Sequence, residues 1–236
     1  MQVFCDFDGT ISKEDVTDLV LARFALPGWH EIEDQWIDGK ITSAQCMRRQ
    51  VRLIEATREE LDAFLDTIEI DSAFVAFKEF CERTGLSLII VSDGVDHFIS
   101  RVLARHGLSD IQIIANRLVG GSDAGEAAFD LDFPFMSAAC AGGSGVCKCG
   151  LVKPSGDQIY VGDGRSDFCV SHEPMLVFAK AKLADYCHAQ RIPFIPYDSF
   201  ADIQASVAGI LSSPSRQSFA LPVANLREKR TSCVPI

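Results

Sequence analysis

The sequence predicts an α/β fold in which a parallel sheet carries a small α-helical cap inserted after the first strand. Three observations carry this expectation. Apolar runs of strand length recur along the 236 residues with helical stretches between them, the pattern of βαβ units whose sheet is buried on both faces. Between Lys13 and Asp71 the alternation stops, and helical periods follow one another with no strand among them. At three strand ends, carboxylates or a hydroxyl stand beside glycine, and parallel α/β sheets bind their ligands beyond the carboxyl ends of the strands.

The first strand is QVFC (2–5), followed at once by Asp6-Phe7-Asp8-Gly9-Thr10. KEDVTDLVLARF (13–24), GWHEIEDQWIDG (28–39), TSAQCMRRQVRLIEA (42–56) and TREELDAFLDTI (57–68) have helical spacing and form the expected cap, 13–71. DSAFVAFKEFCERTG (71–85) begins at an Asp-Ser cap signal and ends at Gly85, and DHFISRVLARHG (96–107) ends at Gly107, glycine being the residue that follows many helix ends. They bracket the strand LSLIIV (86–91), which runs into Ser92-Asp93-Gly94. IQIIA (111–115) is the next strand, and GGSDAGEAAFDLDFPF (120–135) reads as a polar loop and short hairpin. QIYVG (158–162), MLVFA (175–179) and IPFIPY (192–197) complete the sheet. Residues 1–12 and 72–212 thus make the core, and 213–236, rich in Ser, Pro and Arg and without periodicity, a surface tail.

Composition sets the outer limits. With 47% hydrophobic and 23% charged residues the chain reads as globular, and no segment approaches the run of about 18 apolar residues that spans a bilayer. The amino terminus enters a strand without the basic and apolar regions of a signal peptide, which predicts a cytoplasmic protein. Nine cysteines fit reduced thiols better than a disulfide framework in a chain that has its own core. A formal charge of −11 opposes nonspecific binding to nucleic acid, so any attraction for an anion must be local. The ending Cys233-Val234-Pro235-Ile236 has the outline of a prenylation box, but the proline inside it and the absence of basic residues directly beside it argue against that use. No membrane or nucleic-acid partner is expected, and a homodimer is compatible with the sequence.

Chemistry concentrates at the strand ends. The first ends in Asp6 and Asp8, the strand at 86–91 in Ser92, and the strand at 158–162 in Gly162-Asp163-Gly164-Arg165-Ser166-Asp167. Converging carboxylates repel one another, and a hard divalent cation with oxygen ligands is their natural neutraliser. Magnesium takes one or two carboxylates and leaves room for phosphate oxygens, which points to Mg2+ and a small phosphorylated metabolite. Glycines at 9, 94, 162 and 164 would let backbone N–H groups approach phosphate oxygens. A D-x-D pair also opens a calcium loop, but there the glycine belongs at the sixth position and here it falls at the fourth.

In order and placement these residues resemble the haloacid dehalogenase superfamily, a Rossmann-like fold, over nearly the whole chain. Asp6-x-Asp8-Gly9-Thr10 is similar to its first motif, Ser92 to its second and Gly162-Asp163-Gly164-x-x-Asp167 to its fourth; the third requires a lysine, either Lys148 or Lys153. The resemblance implies Asp6 as nucleophile of an aspartyl phosphate, Asp8 as general acid and base, and Lys148 as the offsetting charge. It implies Thr10, Ser92, Asp93, Gly94 and Lys148 around the phosphate. It also implies Asp6, Asp8 (through its carbonyl), Asp163 and Asp167 around Mg2+. The insertion after the first motif resembles the phosphoserine phosphatase branch, and within it the phosphatases of methionine salvage. Phosphoserine phosphatases carry a glutamate where this chain has Asp15, which weakens serine recognition.

Asp15, Arg48, Arg49 and His97 are the candidates for substrate selection, with Trp29 and Trp36 placed in the cap chiefly as packing. Cys140, Cys147 and Cys149 are close enough in sequence for zinc, but C-x6-C-x-C is not a usual zinc spacing, and free thiols are expected. Aspartate before glycine is ordinarily a turn residue, and Ser or Thr at a helix start ordinarily a cap; three matching strand ends outweigh those readings here. Phosphoserine hydrolysis, phosphoryl transfer to an alcohol and noncatalytic binding are the alternatives. The complete set of catalytic residue types speaks against the last.

Overall fold

The computed structural model describes residues 1–121, 128–140, 142–152, 158–174 and 176–212. The expected tail at 213–236, the prenylation-like ending and Lys153 lie outside the described residues. Among the described residues, seven strands form one sheet: β1 (Gln2–Cys5), β2 (Ser87–Val95), β3 (Gln112–Val119), β4 (Asp130–Asp132), β5 (Gln158–Gly162), β6 (Leu176–Ala179) and β7 (Ile195–Pro196). Their order is β4-β3-β2-β1-β5-β6-β7, parallel throughout except for β4, which pairs antiparallel with β3 at the edge. The first strand thus lies in the middle, flanked by β2 and β5. This placement brings all three chemical strand ends side by side.

Alternation along the strands fixes which face each residue serves. Val3, Cys5, Ile90, Ile159 and Val161 pack with Phe74, Phe77, Phe98 and Phe200, which come from α5 (Phe74–Thr84), α6 (Asp96–Arg105) and a last helix, Phe200–Ser212. On the opposite face Phe4, Ile89, Val91 and Tyr160 pack with Val146, Val152 and Val170. That second face is covered by α7, a single turn at Lys148–Leu151, and by α8 (Ala181–Gln190) further along.

Between β1 and α5 the chain forms α1 (Val16–Phe24), α2 (Trp29–Ile37), α3 (Ser43–Val51) and α4 (Arg58–Leu65). α3 and α4 each start in a capping box, Thr42 with Gln45 and Thr57 with Glu60, which satisfies end N–H groups reciprocally. The helical period expected over 42–56 stops at Val51, because the chain turns there to pair Ile54 with Ala25. Val20, Leu21, Val51, Leu61 and Leu65 join the larger core, so these helices are packed onto the sheet's domain. No helix among the described residues is long and apolar enough to cross a membrane.

Two strands run further than their apolar runs. β2 continues through Ser92-Asp93-Gly94 to Val95, and its register with β3 shifts between Val91 and Val95, leaving the three chemical residues on a bulge. β3 extends to Val119 because it gains β4 as an antiparallel partner.

Candidate active site

Asp6 follows β1 directly, its N–H held by the Val161 carbonyl at 2.9 Å, and its carboxylate is buried. One oxygen accepts the Phe7 N–H at 2.8 Å; the other faces the Lys148 ammonium at 2.7 Å. Burial, then the charge of Asp167, pushes the Asp6 carboxyl well above the ordinary range, and Lys148 partly offsets this. Lys148, itself buried, also reaches Asp167 at 2.7 Å and Ser166 Oγ at 3.0 Å. Burial alone would strip its proton, but Asp167 and Asp6 outweigh it and hold it as an ammonium.

Asp8 accepts the Val16 N–H at 2.9 Å. Burial, with Asp15 and Asp6 nearby, raises its carboxyl well above the ordinary range, which favours the protonated form. Ser92 is buried on the bulge and its hydroxyl accepts the Gly94 N–H at 3.0 Å. Gly94 itself leaves no room: a Cβ there would collide with Asp8 Oδ2 and lie 3.1 Å from Ser92 Oγ. Gly9, at φ 68°, meets a similar limit, 2.6 Å from Asp163 Oδ2.

Asp6, Asp163 and Asp167 each offer an oxygen within 4.8 Å of the others, the group among the described residues that could hold a metal ion. The electrostatics fit such an ion. Burial and Asp167 push Asp163 up to about 6, the response of carboxylates crowded without a neutralising cation. No cysteine belongs to that group; Cys147 and Cys149 bring their sulfurs to 3.7 Å, and none of the described cysteines is in a disulfide.

Several expected residues stand elsewhere or do something else. Thr10 is buried and donates its hydroxyl to Asp163 Oδ1 at 2.6 Å, so it orients a carboxylate and does not line the cavity where phosphate would sit. The Asp93 side chain accepts from Ser43 Oγ at 2.7 Å and the Val146 N–H at 3.0 Å, which ties α3 and the Lys148 loop to β2 and leaves only its backbone for an anion. Asp167 spends both oxygens on protein donors. Arg48 pairs with Asp130 at 2.8 Å, Arg49 reaches Gln35 at 3.3 Å, and His97 meets Asp62 at 2.6 Å. None of the last three lines the cavity. Arg49 ties α3 to α2, Arg48 ties α3 to β4, and His97 of α6 ties the sheet domain to Asp62 of α4.

The cavity itself measures about 850 Å³ and opens between the strand ends and the inserted helices. Asp15 lines it as an exposed residue, capping α1 through the Asp18 N–H at 3.0 Å. Sequence reasoning did not single out Ser43, Gln45, Met47 and Gln50 of α3, which face the cavity, nor Arg165, whose guanidinium stacks 5.1 Å over the Trp36 ring across its mouth. The capping box at Thr42 was a readable sign of where α3 begins, but not of which face it turns inward.

A central strand thus ends in an aspartate beside a buried lysine, with an acid cluster on the neighbouring strand end and helices roofing a cavity. The chain belongs to the haloacid dehalogenase-like hydrolase family, whose model matches residues 3–172. Among curated proteins it is 28% identical to a 2-hydroxy-3-keto-5-methylthiopentenyl-1-phosphate phosphatase of an Exiguobacterium species, an alignment that takes in 88% of this chain and 97% of that one. It is 29% identical to a protein of the same name from Geobacillus thermodenitrificans, over 85% of this chain and 92% of that one. Among solved structures it resembles a phospho-aspartyl intermediate analogue of phosphoserine phosphatase, with a TM-score of 0.63 at 18% identity over 87% of this chain and 97% of that one. It also resembles a hydrolase of the same family from Salmonella enterica serovar Typhi, with a TM-score of 0.65 at 20% identity over 86% of this chain and 69% of that one. These two likenesses are of fold.

Proposed function

We propose that this phosphatase hydrolyses a small phosphorylated metabolite through a phosphorylated Asp6, with Mg2+ as cofactor. The observation that carries the reading is Asp6 at the end of β1, 2.7 Å from the buried Lys148 ammonium and open to a cavity roofed by the inserted helices, 13–71.

An Asp6 oxygen attacks phosphorus, the ester P–O bond breaks, and the Asp8 proton passes to the leaving oxygen. Asp8, now a carboxylate, takes a proton from water as that water attacks the phosphorylated Asp6; inorganic phosphate leaves, and both aspartates return to their starting states. Lys148, held against Asp6, offsets charge at the nucleophile, and the Ser92 hydroxyl at the cavity wall is offered to a phosphoryl oxygen. Asp6 and Asp163, with the Asp8 carbonyl, would hold the Mg2+, which supplies positive charge at the phosphoryl group when bound. With Asp167 saturated by protein donors, two carboxylates remain, the number magnesium ordinarily takes. The helical roof excludes water while the first step proceeds.

For the substrate we favour 2-hydroxy-3-keto-5-methylthiopentenyl-1-phosphate, the compound in the relatives' names. The roof supports this, since Trp36, Ile41 and Met47 offer apolar surface for a thioether end beside Gln45, Gln50 and Thr17 for keto and hydroxyl oxygens. The test is phosphate release from a panel of phosphorylated metabolites that includes methylthiopentenyl analogues and phosphoserine, with Mg2+, with chelator, and with Asp6→Asn. Turnover lost in both controls is expected; full activity of Asp6→Asn would overturn the mechanism, and preference for phosphoserine would overturn the substrate.

A further inference from the structure

Among the described residues, Asp167 is the carboxylate that the fold surrounds most completely. It is fully buried, and all four of its acceptor positions are in use. Oδ1 accepts from Lys148 Nζ at 2.7 Å and from the Tyr160 hydroxyl at 2.6 Å; Oδ2 accepts the backbone N–H groups of Asp163 at 3.0 Å and Gly164 at 3.1 Å. Lys148 is equally committed, its three N–H donors directed to Asp167, Asp6 and Ser166. Asp167 is therefore the fixed counter-charge against which Lys148 rests as it faces Asp6.

Tyr160 stands out within that arrangement. It sits in the middle of β5 with no exposure, its ring among Phe4, Ile89, Val91, Val146 and Val152, where phenylalanine would fill the same space. A hydroxyl buried there is costly unless it is bonded, and the partner it has is Asp167. We infer that Tyr160 is a positioning residue for the hydrolysis: through Asp167, its hydroxyl sets where the Lys148 ammonium stands against Asp6. Without it, Asp167 Oδ1 keeps Lys148 as its single donor and draws the ammonium away from the reacting oxygen.

The inference rests on the proposed function, and Tyr160→Phe tests it. The expected result is a folded variant whose kcat falls about tenfold to a hundredfold, the range for a lost hydrogen bond to a charged group, with KM within about twofold. The second readout is the phenolic proton of Tyr160 in the wild-type protein, followed by proton NMR and assigned by its loss in Tyr160→Phe or, should that variant not fold, by selective tyrosine labelling. Beryllium fluoride with Mg2+, which mimics a phosphorylated aspartate, is expected to shift that resonance, because Lys148 moves toward the new charge and Asp167 transmits the change. A resonance that does not move, or a Tyr160→Phe enzyme with wild-type kcat, would show Tyr160 to be packing alone. Asp6→Asn separates the two levels: if it is inactive while Tyr160→Phe is fully active, this inference fails and the proposed function stands; if Asp6→Asn turns over normally, the proposed function itself fails.

Discussion

Thr10 shows how a residue's type can be read from the sequence while its partner cannot. Its place after Asp8-Gly9 suggested a phosphate contact, but its hydroxyl donates to Asp163, a carboxylate 153 positions away. Substituting valine keeps the shape and removes that donor. Thr10→Val should raise the Mg2+ concentration for half-maximal activity by about tenfold to a hundredfold, the usual effect of losing a group that orients a metal ligand, while KM for the phosphoester changes little. A metal titration of activity measures this; a raised KM with unchanged Mg2+ dependence would return Thr10 to the phosphate. Arg48, Arg49 and His97 teach the same lesson, because a long polar side chain on a helix can point to substrate or to a neighbouring element, and only the neighbours decide. Asp6, Asp8, Ser92 and Asp163 were legible because spacing to a strand end is local, whereas the choice of Lys148 over Lys153 was left open; the structure brings Lys148 to Asp6 beyond the carboxyl end of the central strand.

At the scale of elements, the bulge in β2 does the placing. An apolar run announces a strand, and LSLIIV does so here, but the register shift that carries Ser92, Asp93 and Gly94 past the end of β1 depends on β3 pairing again at Val95 with Asn116. At the bulge β2 comes up against the loop after β1. A methyl at Gly94 would meet Asp8 Oδ2, so Gly94→Ala must move either the acid or the strand. Displacements of about 1 Å in such sites cost on the order of a hundredfold in rate, and a loss of that size in kcat is expected from a variant that still melts cooperatively. Wild-type kcat in Gly94→Ala would mean that Asp8 does not work from the position it occupies here. The inserted helices were legible as a group from their uninterrupted period, whereas the end of α3 at Val51 and the inward turn of its Ser43–Gln50 face follow from packing.

For the molecule as a whole, the crowded carboxylates make stability depend on pH in a stated direction. Asp163 is pushed up to about 6, and Asp6 and Asp8 stand well above the ordinary value, so the folded chain keeps protons that the unfolded chain releases from about pH 4 upward. Where the folded state binds more protons, stability falls as pH rises, here through the window from about pH 4 to 6 and beyond. Asp167, held below its ordinary value by Lys148 against the effect of burial, works in the opposite sense, but in a more acidic range. A cation bound among Asp6 and Asp163 removes the penalty, so Mg2+ should raise Tm more at about pH 7.5 than at about pH 5. Equal gains at both pH values, measured by thermal melts with Mg2+ and with chelator, would place the ion elsewhere.

The sequence by itself determined the α/β class, the helical insertion, and the residues that end the central strands, because these follow from periodicity and from chemistry confined to a few consecutive positions. Tertiary structure decided which of those residues touch. β1 between β2 and β5 brought Lys148 and Ser166 onto Asp6, Thr10 onto Asp163 and Tyr160 onto Asp167, and turned α3 toward the cavity. These contacts join positions far apart in the chain, and a short-range pattern carries no information about partners that only strand order and packing bring within hydrogen-bond reach.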